Sequence, residues 1–146
     1  MWWADTFPGP VGFAAFVGVK FGGYALAGIA LKKLEPTITS SALKIAAVRT
    51  GLGIVLGPPI TLLGGMILGL LFAGLRTDMP TYVAYVFLWP LRILIWALVL
   101  YIFTRGRDLS AGRFWSYAAL GALWSCLLDW PGFKLAMVAP GKIPVC

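Results

Sequence analysis

The sequence has no histidine and only five acidic residues among its 146. Without histidine, the usual haem ligand, the commonest metal ligand and the usual general base at neutral pH are missing. Cysteine is scarce too. Cys126 and Cys146 are too few for a thiolate metal site and are not spaced as C-x-x-C. The plain reading is one buried and one terminal thiol, and a disulfide requires both to reach an oxidising side. Paired carboxylates and a phosphate-cradling glycine loop are also lacking. These absences point away from an enzyme and imply no metal and no cofactor. Nor does the chain have the first-helix carboxylate of small drug exporters, since its first apolar segment carries Lys20 instead.

What fills the chain is apolar. Hydrophobic residues make up 60% of it and the mean hydropathy is +0.90, whereas a soluble domain is about half apolar. A bilayer span takes roughly 20 apolar residues, so the length suits four spans, short loops and no separate soluble domain. The net charge is +7. Most of the excess flanks the hydrophobic segments, where the positive-inside rule and anionic headgroups account for it. No basic face interleaved with stacking aromatics suggests nucleic acid.

The expected fold is all-α, a polytopic bundle of four transmembrane helices forming one integral membrane domain. Its spans fall at about 11–31, 51–74, 82–103 and 112–130. Pro8 and Pro10 mark the first entry and Lys32-Lys33 its exit. The segment before it has no basic n-region, so span one reads as retained in the mature protein. The second apolar stretch, 42–75, is too long for one straight span, roughly 50 Å against about 30 Å of hydrocarbon. An interfacial helix over 42–50 is expected, then a span kinked at Pro58-Pro59, whose missing N–H groups break the ladder. Thr39, Ser40 and Ser41 are candidate caps for the second helix, and Asp108 or Ser110 for the fourth. Trp130-Pro131-Gly132 is read as stopping or kinking the fourth. The apolar tail 133–138 then lies in the interface or extends that helix beyond a kink.

Basic residues set the expected orientation. Lys32, Lys33, Lys44 and Arg49 fall in or near one connection, and Arg105, Arg107 and Arg113 near another. Placing both at the cytoplasmic membrane surface puts the N- and C-termini outside. Arg49, beside Lys44, reads as a contact to lipid phosphate.

Charges inside apolar segments are the candidate site. Lys20 lies too deep in span one to snorkel and should face a cavity or a partner. Phe13, Phe16 and Tyr24 share its side of the helix. No acid lies on its helix, and on these spans none lies at its depth. Arg92 sits equally deep in span three beside Tyr85, Trp89 and Trp96. Asp129, toward the outer end of span four, is read as a structural ion-pair partner for Arg92, with ligand binding or proton handling as the functional reading and simple exposure at the interface as a third. With both mid-depth charges positive, any ligand at Lys20 and Arg92 is expected to be an anion. Small residues recur four apart at Ala14, Gly18 and Gly22, and at Gly65 and Gly69. Such stripes let helices approach closely. Packing within the bundle is the plain reading, and a homo-oligomer or partner interface is the functional one.

The leading expectation for function is therefore a small accessory or structural subunit of a membrane complex, in contact with lipid and partner helices. The alternative is a small oligomeric transporter or channel for an anionic or amphipathic solute.

Overall fold

In the computed structural model the chain is described at residues 6–7, 9–75, 81–104, 109–140 and 143–144. Side-chain surroundings are described at 9–57, 59–60, 62–64, 66–70, 88–104 and 109–140. Nearly all of this is helix. In chain order come β1 (Thr6–Phe7), α1 (Pro10–Leu34), α2 (Ala42–Leu75), α3 (Thr81–Thr104), α4 (Ala111–Val138) and β2 (Ile143–Pro144). The strands form one short antiparallel ladder, with Thr6 opposite Pro144 and Phe7 opposite Ile143.

Local chemistry accounts for the helix ends. Pro10 occupies the first turn of α1, where a missing N–H costs nothing and the fixed φ suits the helix. Lys32 and Lys33 lie in its last turn, complementing the negative end of the helix dipole. The Ser41 hydroxyl accepts from the Lys44 N–H at 3.2 Å, which makes Ser41 the cap of α2. Ser110 stands in the same relation to the Arg113 N–H, at 3.5 Å.

Two boundaries differ from the sequence expectation. No break falls at residue 50. The first part of α2 runs unbroken from Ala42 to Gly57, and the bend, 41°, lies between Gly57 and Leu62 as the Pro58-Pro59 pair predicts. The stretch 42–50 is therefore continuous with the rest of α2 rather than a separate helix. Ile45, Ala46 and Arg49 are all buried along it, because residues three and four apart make one inward face. The second difference is in α4, which passes through Pro131 and ends at Val138. A proline removes one helical hydrogen bond without ending a helix that neighbours support. The tail 133–138 is thus part of α4.

Among the described residues, α1 is long and apolar enough to cross a membrane, and the bent pair Ala42–Gly57 and Leu62–Leu70 passes the same test together. Leu88–Thr104 in α3 is apolar but shorter.

The chain divides into two compact units, one of residues 1–50 and 123–146 and the other of 51–122. In the first, α1 runs antiparallel to the start of α2 and to the end of α4. Gly28 lies against Ala42, where an added Cβ would come within 3.1 Å of its Cα. Gly23 lies against the Leu128 side chain, and Gly132 seats the Phe16 ring. Tyr24, Leu31, Ile38, Ile45, Ala46, Leu128 and Ala136 are the buried apolar residues of this unit. In the second unit Trp96 packs on Gly121, with Ala97, Val99, Leu100, Ala118 and Ala122 buried.

Candidate functional site

The first unit buries more than apolar residues. Lys20, Arg49, Ser125 and Asp129 are each less than a tenth exposed, and three helices bring them together. Lys20 comes from the middle of α1, Arg49 from the first half of α2, and Ser125 and Asp129 from successive turns of α4. The spacing of four between Ser125 and Asp129 puts both on the α4 face that meets α1.

The Lys20 ammonium donates to the Asp129 carboxylate. It also donates to the Ser125 carbonyl at 2.9 Å. Two aromatic faces complete its surroundings, Phe16 at 5.4 Å and Tyr24 at 5.9 Å from the ring centroids. A desolvated cation gains from such faces. Phe16 is in turn set against Phe133, with ring centroids 5.1 Å apart. Arg49 reaches the same place from α2. Its guanidinium donates to the Ser125 hydroxyl at 3.3 Å and stands 4.8 Å from the Tyr24 centroid. Ser125 thus receives both cations, Lys20 on its carbonyl and Arg49 on its hydroxyl. From the residue before Ser125, the Trp124 indole donates at 2.8 Å to the Gly23 carbonyl, about one turn along α1 from Lys20, a second polar link between α1 and α4.

This arrangement bears on three sequence expectations. The sequence reading sets Asp129 beside Arg92, and the partner shown for its carboxylate is Lys20. The cause is the length of α4: with the helix ending at Val138, Asp129 is an interior residue rather than the end of a span. Lys20 is ten residues from the paired ends at Pro10 and Asp129 nine from Val138, so both lie roughly 14–15 Å along their helices. The acid missing at the depth of Lys20 is there. Arg49, expected at lipid phosphate, is 4% exposed and inside the cluster. Arg92 lies half-buried on α3, in the other unit.

The small-residue stripe also differs from its plain reading. Ala14, Gly18 and Gly22 are exposed, and an added Cβ at Gly18, Gly22 or Gly69 would meet nothing within 4 Å. The surroundings of Gly65 lie outside the described residues. On α1 the glycines shown in contact with another helix are Gly23 and Gly28, which sequence reasoning passed over. Their signal was their register: they share a helical face with Lys20, Tyr24 and Leu31. Of the aromatics grouped with Lys20, Phe16 and Tyr24 do face it, whereas Phe13 is exposed. Of the basic residues placed at the membrane surface, Lys33, Lys44 and Arg113 are exposed and Lys32 half-buried, while Arg105 and Arg107 lie outside the described residues. A buried acid was also missed. Glu35 caps α1 at its C-terminal end and its carboxylate accepts from the Thr37 hydroxyl at 2.9 Å.

Among the described residues no group of acids and cysteines is placed to hold a metal. No protein-family model, curated protein or solved structure matches the chain.

Proposed function

We propose that this chain is a small multi-pass membrane protein with four spans, acting as an accessory or structural subunit of a membrane complex. The observation that carries the membrane-bundle part of the reading is the Lys20–Asp129 bond. The charges that are most costly to place in hydrocarbon face inward and join α1 to α4, and Arg49 joins α2 to the same serine. Used in this way they hold helices together.

The outward faces support the membrane part of the proposal. Large apolar side chains are exposed along the helices: Leu26 on α1, Val55, Leu62 and Leu70 on α2, Leu94 on α3, and Leu120 and Leu127 on α4. Large apolar side chains on the outer faces, together with charged groups joined in the interior, suit a surface facing lipid. The ladder between β1 and β2 keeps the start of α1 and the end of α4 on one side, as an even number of spans requires. Lys134, whose ammonium stands 3.9 Å from the Trp130 centroid, is the kind of pair that anchors a helix near headgroups. The anion-carrier alternative has less behind it, because the ammonium of Lys20 is met by a carboxylate of the same chain.

Purification from native membrane in mild detergent tests the subunit role. A stoichiometric membrane-protein partner is expected. A lone monodisperse species, with no partner captured by cross-linking in intact membranes, overturns it.

A further inference from the structure

The surroundings of the Lys20 ammonium are those of a receptor for a cation. A carboxylate (Asp129), a backbone carbonyl (Ser125) and two aromatic faces (Phe16 and Tyr24) converge on one nitrogen. Each element favours positive charge. The carboxylate supplies the opposite charge, the carbonyl a fixed acceptor, and the rings the negative faces of their quadrupoles. Their positions are set by parts of the fold outside the lysine. Phe16 rests on Gly132 and against Phe133. Gly23 lies against Leu128, and the Trp124 indole donates to the Gly23 carbonyl at 2.8 Å.

We propose that this cage between α1 and α4 is a binding site for a primary alkylammonium group, occupied in the native chain by its own Lys20. The sequence-level expectation at Lys20 was an anionic ligand. The geometry reverses the sign: the lysine is the ligand, and the receptor is Asp129, Ser125, Phe16 and Tyr24. The inference concerns the chemistry of the cage and goes beyond the subunit role, on which it does not depend.

The test uses the full chain in lipid nanodiscs with Lys20→Ala. That substitution removes Cγ, Cδ, Cε and Nζ, the heavy atoms that n-propylammonium carries. The variant should unfold at a lower temperature than the native chain. n-Propylammonium should raise its midpoint with the saturating dependence that binding linkage requires. The native chain, its cage already filled, should not respond. 1-Propanol, of the same length without the charge, should have no comparable effect, and Lys20→Ala/Asp129→Asn should lose the response to the amine. An absent amine response, an equal effect of propanol, or a response that survives in the double variant overturns the proposal. Where Lys20→Ala does not accumulate as a folded species, its level in membranes of cells grown with n-propylammonium replaces the midpoint. A rise over cells grown with 1-propanol supports the site, and no rise overturns it.

Discussion

Ser125 links two cations that never need to touch each other. Its carbonyl is fixed by the helix backbone and survives any substitution, whereas its hydroxyl is the acceptor for Arg49. Ser125→Ala should therefore spare the Lys20 contact and weaken the Arg49 contact alone. A cost of about 1–3 kcal/mol is expected for leaving a buried charged donor without that acceptor, measured by reversible unfolding in detergent. Arg49→Lys should cost as much or more although the charge is kept. The shorter ammonium loses both the reach to Ser125 and the planar contact with Tyr24. A fully native stability for Arg49→Lys would return Arg49 to the membrane surface. The mid-span position of Lys20 and its Phe16 and Tyr24 neighbours were legible in the sequence, because helical spacing fixes which residues share a face. Its partner was not, because 109 positions separate Lys20 from Asp129 and no local pattern pairs residues at that distance.

At the scale of the helix, the two sets of glycines on α1 should behave oppositely. Gly23→Ala drives a methyl into Leu128, and Gly28→Ala approaches the Ala42 backbone, so both should destabilise by about 1–3 kcal/mol, the usual cost of overpacking. Gly18→Ala and Gly22→Ala meet open space. They should be neutral or slightly stabilising, by up to about 1 kcal/mol, since glycine is costly inside a helix. Melting of the four variants side by side checks the contrast, and equal effects at all four would place the packing face wrongly. The helices themselves were readable in advance. Apolar run lengths gave four of them, Ser41 and Ser110 gave two starts, and Gly57-Pro58-Pro59 gave the bend in α2. Pro131-Gly132 left two outcomes open, a stop or an extended helix, because a proline marks a missing hydrogen bond and a glycine an absent side chain, and neither by itself says whether the helix goes on; the helix continues. Gly132 is there to seat Phe16. Since α4 continues past Pro131, Pro131→Ala should leave α4 intact and keep Lys20 against Asp129, with stability unchanged or raised.

For the molecule as a whole, the Lys20–Asp129 pair makes α1 and α4 mutually dependent. An isolated α1 carries a cation in its middle, and α4 an acid, each costly in lipid until the two meet. The proposed topology rests on the basic residues beside the helices. Single cysteines at Lys33 and Arg113, in a chain free of other cysteines, should both be labelled from the cytoplasmic side, and a tag at either terminus from the outside. The most direct measurement is the exchange of the two charges. Lys20→Asp and Asp129→Lys are made singly and together, and unfolding is followed in lipid nanodiscs. Each single variant is expected to lose roughly 3–5 kcal/mol, the cost of a buried charge left without its partner. The double variant should recover a large part of that loss, because the pair is restored with its signs reversed. Singles that cost nothing, or a double no more stable than the worse single, would contradict a bundle held together by Lys20 and Asp129.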